Sequence, residues 1–459
     1  MIGIYQKYIE FPIISTDTRK IIPNSLFFAL KGTNFNGNIF AEEALSKGAK
    51  YAIIDEKFFL KEDFDKNNKN NNSDKFAHQK DERFILVNDV LETLQSLAAH
   101  HRRNLGTENN LKVIAVCGSN GKTTTKELLT LVLAQKYNTL CTEGNLNNHI
   151  GVPLTLLKIT KSTQIAVIEM GANHAHETMQ LCEIAQPDFG VITNNGLDHL
   201  EGFGSIEGVK SANAELYDYL KTTNATAFVN TLEEDLLEIA TQKQLKNIIT
   251  YPQKNDHFQA EITENNPFLS IVFGEDSGKD GNEKQTVKTQ IIGKYNFNNI
   301  ATATCMGSFF EVSNEKIAAA LMQYVPSNNR SQIIQKDNNK TIILDAYNAN
   351  PSSMKQAINN FAELNYHRKA VILGDMYELG IYTDTEHENL GKLVAEKRFD
   401  IAVFYGEMVK KALPHNPNAY YFSDKFSLHN WLQDKNFENM AFLVKGSRGV
   451  KLETVTEFI

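Results

Sequence analysis

Apolar positions along this chain fall into strand-sized runs separated by stretches with helical spacing. YAIID, starting at Tyr51, and FILVND, starting at Phe84, read as neighbouring strands, and LETLQSLAAHHRRNL after them carries the three-to-four-residue apolar period of a helix. From Leu111 the order becomes strand, glycine-bearing turn and helix, as KVIAVC, GSNGKTTT and KELLTLVLAQKY, and further strand-like runs follow at IAVIEM, FGVIT and TAFVN. This alternation predicts a largely parallel sheet covered by helices. A second series, TIILDAYN, KAVILGDM, IAVFYG and AFLVKG, predicts a Rossmann-like unit with no glycine fingerprint of its own. The expected architecture is therefore α/β with three domains. They are a small α/β domain over residues 1–105, a central parallel sheet built on a phosphate-binding loop over 106–326, and a Rossmann-like domain over 327–459.

One tract breaks the first domain. Lys61 to Arg83 is nearly devoid of aliphatic residues and cannot bury enough apolar surface to offset its ordering entropy, so it reads as a polar insertion.

Composition narrows the partners. A chain of 459 residues exceeds one ordinary core, and 42% hydrophobic with 22% charged residues is a globular composition. A net charge of −8 leaves no basic footprint for nucleic acid or an anionic membrane, so positive charge for handling anions has to be concentrated locally. The start, MIGIYQKYIEFPIIS, lacks the pattern of a signal peptide, and no apolar run approaches the ~20 residues of a membrane span. The four cysteines, Cys117, Cys141, Cys182 and Cys305, are scattered as reduced thiols would be. The expectation is a cytoplasmic, monomeric protein without membrane insertion.

The strongest chemical signal is the run Gly118, Ser119, Asn120, Gly121, Lys122, Thr123, Thr124, Thr125. Glycines let successive N–H groups turn toward phosphate oxygens, the following helix adds its positive end, Lys122 neutralises β- and γ-phosphate charge, and the Thr123 hydroxyl suits magnesium. Val116 stands where the usual GxxxxGK[ST] pattern has its first glycine, so a strict search misses the loop. The plainer reading is a glycine turn with a surface lysine, and the flanking strand and helix weigh against it. Glu169, ending IAVIEM, is a candidate magnesium ligand at the carboxyl end of a parallel strand, or else a carboxylate capping a turn. His199, in NNGLDHLEGFGS, follows the strand GVIT; on chemistry alone a hydrogen-bonding histidine is the preferred reading.

A family resemblance changes these weights. STDTRKIIPNSLFFALKG, GSNGKTTTKELL, TEGNLNNHIGVPLTLL, IEMGANHAHE, DHLEGFGS, GKYNFNNIATA, DAYNANPSSM and LGDMYELG resemble, in order and over nearly the whole chain, successive blocks of the Mur ligases. The resemblance implies an ATP- and Mg2+-dependent amide ligase that joins D-alanyl-D-alanine to UDP-N-acetylmuramoyl-tripeptide in peptidoglycan synthesis. It implies an N-terminal domain for the uridine nucleotide, a central P-loop ATPase-like domain for ATP, and a closing C-terminal domain. By the same carry-over Thr18, Arg19, Lys31 and Gly32 lie near the uridine diphosphate, and Asn145, Asn147 and Asn148 near the peptidyl or γ-phosphate region. Asn296 and Asn299 resemble the adenine-contacting pair, with Tyr295 where histidine is expected; Arg330, Asp345 and Asn348 lie beside the ATP ribose and phosphates. Lys122, Glu169 and His199 become the catalytic set, with Thr123, Glu169 and His199 holding magnesium.

Other residues read differently. Asn350-Pro351 is a good helix N-cap followed by proline at the first helical position, so Asn350 is expected to be structural. Lys445, Ser447 and Arg448 form a basic loop facing either an anionic substrate or solvent. The family's carbamylated lysine falls on Asn213, which cannot form a carbamate, and Lys210 one turn earlier is the available substitute. Competing functions are another Mur step, a folylpolyglutamate synthase-like ligase, or nucleotide binding without ligation. The diamino acid ending the tripeptide is set by pocket shape, which no motif encodes.

Overall fold

The computed structural model describes residues 1–57, 81–274 and 283–459, so the polar tract lies outside the described residues except for its last three. Its contacts divide into two compact units, one of 1–115, 140–169 and 180–187, the other of 116–139, 170–179 and 188–459.

In the first unit, four strands run parallel in the order Ile14–Ser15, Leu26–Phe28, Tyr51–Asp55 and Phe84–Val87. The expected neighbours are paired, with Ala52 opposite Phe84 and Asp55 opposite Val87. Every residue of Leu26–Phe28 is buried, as a strand covered on both faces requires. The helix predicted after this sheet is Val90–Asn109, started by the Asp89 carboxylate accepting from Glu92 N and ended by Asn110 in the left-handed conformation. It therefore runs four residues past the expected boundary. Arg102 donates to the carbonyls of Ala185 and Gln186, and the Tyr8 hydroxyl donates to Leu157 O, which ties the helix and the chain's first turn into the same unit.

A buried carboxylate organises the sheet's edge. Asp55 accepts from Val90 N at 3.0 Å and Asn38 Nδ2 at 2.8 Å, and it pairs with Lys31 Nζ at 2.6 Å. Replacing Asp55 with alanine is expected to cost on the order of 3 kcal/mol, because the buried Val90 N–H and Asn38 amide lose their acceptor together. Urea unfolding checks this; an unchanged midpoint and slope would contradict the assignment.

The central sheet has six strands in the order Ile248–Tyr251, Thr226–Asn230, Phe189–Ile192, Lys112–Cys117, Ile165–Glu169, Thr139–Cys141, with Phe189–Ile192, Thr226–Asn230 and Ile248–Tyr251 pairing in parallel. An antiparallel sheet of Ala260–Asn265, Phe268–Phe273 and Gln285–Ile292 was not expected from the sequence. In QTVKTQII, Val287, Thr289 and Ile291 point in while Lys288 and Gln290 stay exposed, the alternation of a half-buried strand, and Phe268–Phe273 is buried at every residue but its first.

The Rossmann-like sheet is ordered Gln332–Lys336, Lys340–Asp345, Ala441–Lys445, Lys369–Gly374, Ile401–Tyr405, Tyr420–Phe422, all parallel except the first, which makes an antiparallel hairpin with the second. Alternate residues feed two cores. Ile343, Val371, Leu373, Phe404 and Leu443 pack with helix Pro351–Glu363, whereas Ile342, Leu344, Ile372, Val403, Phe442 and Val444 pack with helix Lys425–Gln433.

Candidate active site

The phosphate loop follows from its glycines. Gly118 and Gly121 adopt φ values of +121° and +82°, and a Cβ on either would fall 2.3 Å from a neighbouring oxygen, of Thr193 or Asn299 respectively. Between them the loop is pinned to the turn after strand Phe189–Ile192. Ser119 N donates to Asn194 O, Asn120 N to Asn194 Oδ1, and the Thr193 hydroxyl to Asn120 O at 2.7 Å. The helix then begins at Lys122, whose ammonium curls back onto the carbonyls of Gly118 and Ser119, at 2.5 and 3.0 Å. Thr123 is buried in the first helical turn, and Thr124 follows it. Ser119 donates through its hydroxyl to Asp198, a buried carboxylate that the sequence reading passed over although it precedes His199 directly. Cys117, just before the loop, is buried, and burial pushes its thiol up to about 11.

The asparagine pair supports this loop from beneath. Asn299 accepts from the Thr125 hydroxyl and donates to Asn296 Oδ1, and Asn296 donates to Ile292 O at 2.8 Å. Both are buried, so their amides are engaged inside the protein. Tyr295, half-buried, contacts the Ser331 hydroxyl at 3.0 Å.

His199 adopts φ +47° at the start of a short helix, and its Nδ1 lies 2.5 Å from Glu378 Oε2. The imidazole holds the Glu378 carboxyl below its ordinary value. Such a carboxylate–histidine pair sets the ring's orientation and leaves Nε2 as the nitrogen for another partner. Glu378 belongs to the LGDMYELG block, but nothing in that block names its partner.

The C-terminal candidates cluster. Asp345 accepts from Ser331 N at 3.0 Å and pairs with Lys445 Nζ at 2.5 Å, and Lys445 also reaches Asn348 O. Lys445 and Ser447 are buried, so that loop is not a solvated one; Arg448 is exposed. Arg330 lies over the Tyr347 ring. Asn350 is the expected cap, complete with a reciprocal bond to Ser353, and it does more: its Nδ2 donates to Asn120 Oδ1 of the phosphate loop at 2.9 Å. Ser352 accepts from Leu197 N beside it.

In the first unit, Glu169 is buried at its strand end and accepts from Asn147 Nδ2 at 2.9 Å, while its own N–H donates to the Thr142 hydroxyl. Asn148 caps the next turn by accepting from Ile150 and Gly151 N–H, and Asn145 is exposed. Arg19 folds back on Asp17, its Nε and Nη2 donating to the two carboxylate oxygens, and the guanidinium holds that carboxyl well below the usual range. Thr18 offers its carbonyl to Lys47. Lys31 and Gly32 form a two-residue strand against Phe35–Asn36.

The position of the absent lysine is filled by a polar chain. Asn213 donates to Asn195 Oδ1, and Asn195 donates to Asp235, which pairs with Lys210 at 3.4 Å. A carbamate at Lys210 would face the Asp235 carboxylate.

Three family models match in sequence order: the Mur ligase family catalytic domain over residues 10–102, the Mur ligase middle domain over 116–307, and the Mur ligase glutamate ligase domain over 329–448. The UDP-N-acetylmuramoyl-tripeptide--D-alanyl-D-alanine ligase of Bacillus subtilis (strain 168) is 34% identical over 451 residues, covering 97% of this chain and 92% of that protein. The chain belongs to the Mur ligase family. Among solved structures, MurF from Acinetobacter baumannii superposes with a TM-score of 0.82 at 30% identity, covering 97% of this chain and 92% of that one. The MurF ligase of Thermotoga maritima in complex with ADP gives 0.80 at 26% identity, with 97% and 96% covered. The three-domain α/β architecture is thus that of the Mur ligases, and in this member the phosphate loop lies within the middle-domain match. No described helix is long and apolar enough to cross a membrane.

Proposed function

We propose that the protein joins D-alanyl-D-alanine to UDP-N-acetylmuramoyl-tripeptide with hydrolysis of ATP to ADP and phosphate. The observation that carries this reading is full-length similarity to relatives named for that reaction, around an intact phosphate loop. A peptide carboxylate is inert toward an amine. Its oxygen therefore attacks the γ-phosphorus of ATP, ADP leaves, and an acyl phosphate results. The dipeptide amine attacks the acyl carbon, phosphate departs, and the amine's proton is released.

Such transfer depends on alignment and charge neutralisation. Gly118 to Thr124 wrap the phosphates, Lys122 leaves its two carbonyls to meet them, and Arg330, Asp345 and Asn348 attend the nucleotide from the C-terminal sheet. Thr123, Glu169 and His199 are the proposed magnesium ligands. The hydroxyl and the carboxylate are the hard oxygen donors the ion prefers, and the imidazole, whose Nδ1 is held by Glu378, is carried over from the family resemblance. Magnesium when bound supplies further neutralisation of phosphate charge. Consumption of ATP and a UDP-linked precursor fits a cytoplasmic setting, in keeping with four free cysteines.

The deciding experiment is phosphate release by purified enzyme with ATP, magnesium, UDP-muramoyl-tripeptide and D-alanyl-D-alanine, each omitted in turn. Release is expected only when all are present. Release that ignores the dipeptide but responds to a single amino acid would overturn the reading.

A further inference from the structure

His387 takes no part in the reaction proposed above, yet it is fully buried on helix Thr383–Lys397 with both ring nitrogens engaged. Met376 N donates to its Nε2 at 3.1 Å, and its Nδ1 lies 2.7 Å from Thr383 O. A ring nitrogen that accepts from a backbone N–H carries no proton, so the ring is neutral and its Nδ1–H donates to Thr383 O. Burial favours the same form by holding the imidazolium below its ordinary value.

What this ring fastens is the loop that carries Glu378. Met376 lies two residues after strand Lys369–Gly374 and two before Glu378. The next N–H, of Tyr377, donates to Ser447 Oγ at 3.0 Å, and Ser447 N donates back to Asp375 O. Glu378 itself adopts φ +63°, a left-handed conformation that a residue with a side chain keeps only where its surroundings impose it. In that conformation its carbonyl accepts from Glu201 N at 3.1 Å and its carboxylate meets His199 Nδ1.

We propose that His387 is a positioning residue: by fixing Met376 it keeps Glu378 in register with His199 and so orients the His199 ring toward magnesium. This rests on the reading of His199 as a ligand of that ion. Without an acceptor at position 387, the buried Met376 N–H is left unpaired, and the loop regains a partner for it only by moving. Met376 and Leu379, on either side of Glu378, are buried in one core with Leu200, the neighbour of His199. A displacement at Met376 is therefore passed on to the carboxylate–imidazole pair, because a close-packed interior transmits strain. A shift of about 1 Å takes that hydrogen bond out of range and frees the ring to turn.

The test is a calorimetric titration of magnesium into the purified enzyme held with a non-hydrolysable ATP analogue, which reads metal affinity apart from turnover. His387→Ala is expected to raise the midpoint about tenfold or more, while binding of the analogue without metal stays within about twofold. Glu378→Ala is expected to do the same, and the double variant to lose no more than either alone, since both substitutions break one chain of contacts. His387→Gln, whose amide oxygen can accept from Met376 N, is expected to recover most of the affinity. Thermal unfolding establishes that each variant is folded; where His387→Ala is not, His387→Leu, which fills the space without an acceptor, is set against His387→Gln. An unchanged midpoint in the folded variant without an acceptor overturns the proposal. So does a loss from His387→Ala in the Glu378→Ala background as large as in the unmodified enzyme, or an equal loss of analogue binding without metal, which would make the histidine a general support of the fold. If the unmodified enzyme shows no saturable magnesium binding, the magnesium reading itself fails and the positioning role falls with it.

Discussion

Replacing Lys122 with alanine is expected to lower substrate-dependent phosphate release by at least about a thousandfold, as loss of a preorganised charge at a transferring phosphoryl group does. The ammonium is the one side-chain cation the loop itself supplies, and its two contacts, to Gly118 O and Ser119 O, are to carbonyls that need no lysine to remain folded. Stability should therefore change little while turnover collapses. Lys122→Arg is expected to be nearly as impaired, since a planar fork does not occupy the place of a compact ammonium. Phosphate release and thermal unfolding measured on the same preparations separate the two effects. A variant keeping a tenth of the activity would show that Lys122 is merely a surface lysine on a glycine turn.

The second large effect is expected from Gly118→Ala. This residue needs φ +121°, and an added methyl would lie 2.3 Å from Thr193 Oγ1 and 2.8 Å from Thr193 N. The hydroxyl can rotate away, but the backbone N–H cannot move without shifting the Asn194 contacts that shape the loop. Strain of roughly 2–3 kcal/mol is expected, with nucleotide affinity weakened by about a hundredfold or more. Calorimetric ADP binding together with urea unfolding checks both parts. Unaltered affinity would mean that the loop's curvature is not what receives phosphate. Gly121→Ala is expected to be milder, because its added methyl meets the Asn299 side chain instead of backbone.

Much of this was legible beforehand, and the reasons differ by element. Strands such as Ile165–Glu169 and Ala441–Lys445 are buried at every residue, so their continuous apolar runs stand out. The phosphate loop was readable despite Val116, because a turn between an apolar strand and an amphipathic helix is a local feature. The antiparallel sheet of Ala260–Asn265, Phe268–Phe273 and Gln285–Ile292 was missed although Phe268–Phe273 is a nearly continuous apolar run, because nothing local in that run names the strands it pairs with. Asn350 was half legible: its cap is written in the adjacent Pro351, whereas its bond to Asn120 joins residues 230 positions apart. Asp55 and Asp198 went unremarked because an aspartate's burial is invisible until its partners are known.

By itself, then, the order of residues determined the elements of the two parallel sheets, the glycine turn between strand and helix, and the family, since each depends on patterns a few residues long or on blocks met in succession. Only tertiary structure decided that Glu378 holds His199, that Asp345 pairs with Lys445, and that Arg330 and Arg448 share one ring with no ion-pair partner among the described residues. Electrostatic partnership acts through space over a few ångströms, and chain separations of 100 residues or more carry no trace of it in sequence.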